Sequence, residues 1–242
     1  MNRKILLIIF LSISCSCASM AQFNLGKVLD SFKKPAGTSL SEGDIVKGLK
    51  EALTVGISNG SAEASKKDGF FKNELIKLVV PPEAQKVAET LRKLGLGKEV
   101  DKFTLSLNRA AEDAAKKSKP IFVKAITSMT VTDAVGILKG QDDAATRYLQ
   151  KTTNQDLYNT FFPVVDSTLN LNKATQYYSD LVKTYNAIPL VKKVDPDLKA
   201  YATQKTIDGL YTLIAQEEKK IRKDPVARVS DILKTVFGQS AK

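Results

Sequence analysis

The chain has 242 residues, of which 43% are hydrophobic and 26% charged, a composition typical of a folded globular protein. Its formal net charge is +11, and it contains no histidine. Without histidine, Ser-His-Asp and Cys-His catalysis within this chain are excluded, and so are His-ligated zinc and iron sites. Any acid–base chemistry would therefore fall to Asp, Glu, Lys or Tyr side chains.

Residues 1–21 have the pattern of a secretory signal peptide. Basic residues at positions 3 and 4 precede a short apolar segment, residues 5–13, and a small-x-small cleavage pattern at residues 19–21. Nine apolar-core residues are too few to cross a bilayer, which takes about 20 residues. We therefore expect an exported protein, periplasmic or associated with the outer membrane, whose mature chain begins at Gln22.

Both cysteines of the chain, Cys15 and Cys17, lie in this predicted signal peptide. Either would be the acceptor if the protein were a lipoprotein. Serine stands three positions before each of them, where a leucine-like residue is favoured, so we prefer cleavage after Ala21. The mature chain then has no disulfide and no thiol chemistry. Its formal net charge is +9, because only two basic residues are removed.

Residues 22–39 are expected to form an amphipathic helix followed by a linker. Four apolar residues are spaced as on one face of a short helix: Leu25, Val28, Leu29 and Phe32. Pro35 and Gly37 mark the linker. We favour a helix docked on the core over the alternative, an arm that seeks a membrane or a partner protein.

The next segment combines a well-marked helix start with a candidate strand. Ser41, with Asp44 three residues later, predicts a capping box at the start of a helix. The alternating apolar residues within 75–80 favour a short β segment or hairpin. Pro82 then suits the first turn of a helix that ends near Leu94.

The central stretch, residues 105–152, carries the longest helical signal. Its first helix, which continues one starting near Gly97, has an alanine-lined edge that lets another helix approach closely. Pro120 predicts the first turn of the next helix. Thr130 and Asp133 predict a capping box, and the short helix that follows would be closed by Gly140 in the C′ position. Asp142 or Asp143 would cap a further helix over residues 144–151, which ends before a new helix capped by Asn154.

The remaining elements complete a mostly α fold. Pro163 is expected to kink the helix that Asn154 caps. Later segments are an aromatic-rich helix, a second candidate strand, a long amphipathic helix and a terminal helix: residues 174–185, 188–196, 197–223 and 226–237. We predict one multi-helix, bundle-like domain over residues 40–242, with room for one small β-hairpin.

Several separated sequence blocks resemble a bacterial family, the domain of unknown function family 4197. The blocks, which agree in order, are residues 68–73, 81–83, 107–112, 129–140, 144–148, 205–210 and 217–225. The resemblance covers residues 40–238 and implies an exported, mostly helical protein. It implies no activity, and it offers no catalytic residues to carry over.

Polar and aromatic side chains are our candidates for ligand binding. Arginine binds carboxylate and phosphate groups in a bidentate manner, and tyrosines at helical spacing can line an apolar cavity. The alternatives are a packed aromatic core and ion pairs between neighbouring turns. Those pairs would be Arg109 with Glu112 or Asp113, Arg147 with Asp143, and Arg222 with Glu218. The candidates are Asn108, Arg109, Glu112, Asp143, Arg147, Tyr148, Tyr177, Tyr178 and Arg222.

Carboxylates are the only plausible set for catalysis or for a Ca²⁺, Mg²⁺ or Mn²⁺ site. They are Glu112, Asp113, Asp133, Asp142, Asp143, Asp208, Glu217 and Glu218. No calcium-loop or di-iron motif joins them, and helix capping and ion pairing account for their positions. We therefore assign no catalytic residue, metal ligand or cofactor.

By elimination, we expect a non-enzymatic cell-envelope protein. Its ligand would be a lipid, another apolar molecule or a small anion, or its partner would be another envelope protein. The basic surface also allows peripheral contact with anionic lipids. We expect no nucleic acid, because the lysines are scattered and the chain is exported. The alternatives are a carboxylate-dependent hydrolase or lyase that uses a divalent cation, and a structural module that binds a partner.

Overall fold

A computed structural model describes residues 41–194 and 197–224, and these residues are mostly helical. A 3₁₀ turn, Pro82–Ala84, precedes the second of eight α-helices. The helices are α1 Glu42–Ser65, α2 Gln85–Lys93, α3 Gly97–Ala115, α4 Ser118–Thr127, α5 Val131–Lys139, α6 Ala144–Leu171, α7 Ala174–Asn186 and α8 Leu198–Lys223. The predicted signal peptide, the N-terminal amphipathic helix and the terminal helix lie outside the described residues.

Helices α3 and α8 lie at the centre of the packing. Helix α8 packs against both α1 and α6, while α3 contacts α1, α2, α6, α7 and α8. The alanine edge of α3 is buried, with Ala110, Ala111, Ala114 and Ala115 each exposed by no more than 2%. These small side chains let neighbouring helices approach α3 closely. The buried apolar side chains form one continuous cluster.

Both predicted capping boxes are present. The Asp44 N–H donates to Ser41 Oγ at 3.1 Å, and Ser41 N–H donates back to the Asp44 carboxylate at 3.2 Å. At the start of α5, the corresponding distances between Thr130 and Asp133 are 3.2 and 3.0 Å. Each box satisfies backbone donors that the helix itself leaves open.

The predicted helix break near residues 152–154 is absent, because α6 continues to Leu171. The hydroxyls of Thr152 and Thr153 donate to carbonyl oxygens one turn earlier, at 2.8 and 2.6 Å, so neither acts as a helix cap. Pro163 lies inside the same helix. The kink predicted there stays a prediction.

The predicted β segments are wrong for the described residues, which form no strand. At residues 75–80, side chains replace a strand partner: the amide of Asn108 pairs with both backbone groups of Leu78, and Tyr201 Oη donates to the Val79 carbonyl at 3.0 Å. At residues 188–194, the amide of Asn186 pairs with Val194 in the same way. At both places the chain forms turns followed by irregular structure, and the backbone groups named here bond to side chains of helices.

Gly140 ends α5 differently from the prediction. It is the C-cap residue itself and has an extended backbone, with φ −75° and ψ 179°, rather than a left-handed one. The glycine is required by space instead, since a Cβ there would lie 2.4 Å from the Cβ of Ala144.

Among the described helices, none is by itself long and apolar enough to span a bilayer. Helices α4 and α5 reach that length and composition only as a pair, which is bent by 106° at its break.

Candidate functional site

The side chain of Asn108 fixes the segment of turns and irregular structure that precedes α2. It is fully buried on α3. Its Oδ1 accepts from Leu78 N–H at 2.8 Å, and its Nδ2 donates to the carbonyls of Leu78 and Thr104, both at 2.7 Å. An amide side chain is suited to this role, because it can satisfy a donor and an acceptor of one peptide unit together.

One turn further along α3, Glu112 holds the start of the same segment. Its buried Oε1 accepts from the N–H groups of Phe70 and Phe71, both at 3.2 Å. Its Oε2 accepts from Arg109 Nη1 at 2.6 Å, and Arg109 Nη2 donates to Asp68 at 2.6 Å. The predicted ion pair between Arg109 and Glu112 is therefore present, and Asp68 is a partner that helical spacing did not indicate.

These bonds also set the acidity of Asp68. The hydrogen bond from Arg109, with a second from Lys72, holds the pKa of the Asp68 carboxyl below its ordinary value. The ionised form is the one that the fold requires.

We expect Asp68→Asn to remove part of the acid sensitivity of the fold. Because the pKa of Asp68 is lower in the folded chain than in the unfolded chain, where it is about 3.9, the carboxylate stabilises the fold above that pH. This stabilisation is lost as the pH falls through the folded-state pKa. The variant should therefore unfold at a lower temperature than the parent at pH 7. The difference should shrink as the pH falls below about 4 and disappear below the folded-state pKa of Asp68.

Thermal unfolding followed by circular dichroism measures this difference. Asp156→Asn, at an exposed position of α6, is the control and should leave the unfolding temperature unchanged at every pH. A pH-independent deficit in Asp68→Asn would contradict the argument.

The segment held by Asn108 and Glu112 forms one wall of a groove, whose other walls are α2 and α3. We call it the α2–α3 groove. Its volume is about 390 Å³, within the range of small-molecule sites. Its apolar lining comes from Phe71, Val79, Val80, Ala88 and Val100.

Two cationic side chains, Lys77 and Arg92, and two carboxylates, Glu89 and Asp101, line the same groove. Lys77 Nζ lies 5.0 Å from the centre of the Phe71 ring, within the distance of a cation–π contact. Arg92 Nη2 lies 2.6 Å from Asp101 Oδ1, and this ion pair crosses from α2 to α3. Spacing along the chain does not single out these residues, because packing brings them together from three separate elements.

A second buried pair, Glu218 and Arg222 on α8, holds the junction of α5 and α6. Glu218 accepts from the N–H groups of Ala145 and Thr146, both at 2.9 Å, so a residue of α8 caps α6. Arg222 donates to Glu218 at 2.8 Å and to the Ile137 carbonyl at 2.8 Å. The four-residue spacing of Glu218 and Arg222 predicted their ion pair. It did not predict that Glu218 caps α6.

Because Glu218 caps α6, Asp143 does not. Asp143 occupies the N-cap position without a capping hydrogen bond, and it accepts instead from Arg147 Nε at 2.9 Å. Both residues line a groove of about 520 Å³ between α6 and α8. The next residue, Tyr148, is half-buried. Its burial raises the pKa of its hydroxyl, and the negative charge of Asp133 raises that pKa further.

The tyrosines of α7 belong partly to the core. Tyr178 is buried, with its ring centre 5.2 Å from that of Phe103, while Tyr177 is half-buried. Tyr178 also lines a groove of about 570 Å³ between α7 and the start of α8. The nine candidate residues thus fall in three places: beside the α2–α3 groove, at the start of α6 and on α7. Their role in ligand binding stays a prediction.

Three of the candidate carboxylates, Asp142, Asp143 and Asp208, line the groove between α6 and α8, and the others lie elsewhere. Asp133 caps α5, Asp142 pairs with Lys223 at 2.6 Å, and Glu217 accepts from Asn59 at 3.1 Å. Within residues 41–194 and 197–224, no group of three or more His, Cys, Asp or Glu side chains is placed to hold a metal ion. The buried members of the set hold backbone segments in position.

The fold and these contacts define an all-helical protein whose buried charges join separate parts of the chain. Residues 39–238 match the family described as Protein of unknown function (DUF4197), so the chain belongs to this family, as the sequence blocks predicted. Neither the curated proteins nor the solved structures gave a match.

Proposed function

We propose that this chain is an exported cell-envelope protein that binds a small anionic amphiphile in the α2–α3 groove. The observation that carries the proposal is that one groove combines an apolar lining with Lys77, whose ion-pair partner is distant and exposed. Arg92 lines the same groove but is paired with Asp101, and Glu89 adds a second carboxylate. Such a ligand would place its apolar part against the valines and its carboxylate or phosphate near the cations. The proposal that the protein is exported rests on the signal-peptide pattern of residues 1–21.

Lys77 is the cation best placed to accept a ligand. Its partner Glu74 lies 3.7 Å away with a side chain that is 84% exposed. An exposed pair of this kind contributes about 0–1 kcal/mol, so an anionic ligand can replace Glu74 at little cost. The contact with Phe71 holds the lysine side chain at the groove.

The wall of the groove is fixed before any ligand arrives. Asn108 and Glu112 hold the backbone of residues 70–78 through buried hydrogen bonds. Ligand binding then requires little additional ordering of the protein, so little conformational entropy is lost. A preformed site of this kind favours higher affinity.

The two alternative functions have weaker support. A carboxylate-dependent hydrolase or lyase needs several acids in one cleft. Asp142, Asp143 and Asp208 do line the groove between α6 and α8, but each has a cationic partner within 3.3 Å. A structural module would instead present a broad exposed apolar patch.

The first test is native mass spectrometry of the protein purified from a bacterial periplasm, followed by organic extraction. We expect a co-purifying amphiphilic acid. Binding of the anionic dye anilinonaphthalene sulfonate, and its displacement by decanoate, then measures the groove directly. Ala88→Leu fills the groove from a helix position and should weaken binding at least about tenfold, and Lys77→Gln should do so about tenfold.

Matched control variants distinguish a change in the groove from a general effect of the same substitution on dye binding. Ala62→Leu and Lys151→Gln make the same changes at exposed positions of α1 and α6 and should bind as the parent does. If decanoate fails to displace the dye, or if Ala88→Leu binds normally while folded, the proposed site is wrong.

A further inference from the structure

The connection between α7 and α8 is a loop with a closed base. Asn186 Nδ2 donates to the Val194 carbonyl, and Val194 N–H donates to Asn186 Oδ1, both at 3.2 Å. This pair brings the two ends of residues 187–193 together. We call these residues the α7–α8 loop.

The sides of this loop pack against the core, whereas its tip is exposed to solvent. Ile188 and Val191 are half-buried against the apolar core. Leu190, between them, has a relative exposure of 106%. Its φ is 65°, in the left-handed region that residues with a side chain rarely adopt. The fold thus holds an apolar side chain away from the core in a constrained conformation, a combination that often accompanies function.

The charged residues of the α7–α8 loop itself are both basic, and two acidic residues, Asp195 and Asp197, follow the loop in the sequence. Lys192 and Lys193 are both exposed, and Lys183 is exposed in the last turn of α7. The carboxylate of Asp197 accepts from Ala200 N–H at 2.9 Å and so caps α8. An apolar tip between lysines is complementary to an anionic bilayer, which offers hydrocarbon below a layer of phosphates.

We propose that the α7–α8 loop docks on anionic membrane surfaces. Leu190 enters the boundary between headgroups and acyl chains, while Lys192 and Lys193 contact lipid phosphates. The closed base lets the loop insert without rearrangement of the helices. This surface is separate from the α2–α3 groove, so the proposal stands or falls independently of ligand binding there.

The absence of tryptophan from the chain allows a local test. Leu190→Trp places a single indole at the tip, and Leu171→Trp, at a leucine that is 77% exposed at the end of α6, is the matched control. The protein is purified from a bacterial periplasm and mixed with vesicles of phosphatidylcholine alone or of phosphatidylcholine with phosphatidylglycerol. We expect a blue shift of the Leu190→Trp emission with the anionic vesicles only, and no shift for Leu171→Trp.

Further variants separate the contributions of the two lysines, of Leu190 and of the α2–α3 groove to vesicle binding. Lys192→Gln with Lys193→Gln should weaken vesicle binding of Leu190→Trp at least about tenfold. Ala88→Leu, added to the same background, should leave the shift intact, because it affects only the groove. Cosedimentation of Leu190→Ser with anionic vesicles, compared with the parent, checks that the indole itself does not create binding. An unchanged Leu190→Trp emission, an equal shift in Leu171→Trp or undiminished cosedimentation of Leu190→Ser would overturn the proposal.

Discussion

Glu218→Ala is expected to lower the free energy of unfolding by about 3–5 kcal/mol. The change removes a carboxylate whose side chain is 5% exposed. It leaves the first N–H groups of α6 without their acceptor and Arg222 without its buried counter-charge. Removing one partner of a buried pair costs far more than the pair contributes, because the other charge stays out of water. Urea unfolding followed by circular dichroism measures the loss.

Two further variants make this result specific. Glu74→Ala removes an exposed carboxylate that forms only a distant ion pair, and it should change stability by less than about 0.5 kcal/mol. Glu218→Gln keeps the shape and two acceptor lone pairs, so it should lie between the parent and Glu218→Ala. Equal stability of Glu218→Ala and Glu74→Ala would show that the buried contacts do not stabilise the fold.

Asn108→Asp should destabilise the protein by about 3 kcal/mol or more at pH 7, although the two side chains have the same shape. The new carboxylate can still accept from Leu78 N–H, but its other oxygen would face the carbonyls of Leu78 and Thr104 with no proton to donate. The charge would also be fully buried, which disfavours ionisation.

This penalty should depend on pH in a defined direction. Burial raises the pKa of the new carboxyl in the folded variant above its unfolded value of about 3.9. The destabilisation is therefore present above the folded-state pKa and fades as the pH falls to the unfolded value, where the acid is protonated in both states. Chemical unfolding at pH 7 and pH 4 measures the change. Asn154→Asp, exposed on α6, is the control, and a deficit equal at both pH values would contradict the burial argument.

Helix starts were predictable from sequence where all the atoms involved belong to neighbouring residues. Ser41 and Asp44, like Thr130 and Asp133, interact over three residues, and the backbone conformation of one turn brings them together. The pairs of Arg109 with Glu112 and of Arg222 with Glu218 follow from the same local geometry.

The errors arose where a distant side chain took the place of a local partner. Residues 76–80 alternate as a strand would, but Asn108, 30 residues away, satisfies the backbone of Leu78. Asp143 stands where a cap belongs, but Glu218 supplies it. Asn154 suggested the start of a new helix, yet it lies inside α6. The hydroxyl of its neighbour Thr153 bonds within α6 and also lies 2.8 Å from that of Tyr211. Spacing along the chain contains no information about such partners.

The α2–α3 groove could not be predicted for the same reason. Its lining comes from an irregular segment and two helices, and only their packing brings Lys77 and Arg92 to one groove. The candidate residues that spacing did select on α3, Asn108 and Glu112, build the wall of this groove rather than line it.

The cap that Glu218 provides has a consequence for the order in which the chain folds. Thr146 and Glu218 are 72 residues apart, so α6 has been synthesised in full long before its cap exists. Its first turn lacks a local cap during that interval, and an uncapped helix end frays. The cap forms only when α8 docks and closes this long loop. We therefore expect the junction of α5, α6 and α8 to form late, with the first turn of α6 becoming stable as α8 packs onto it.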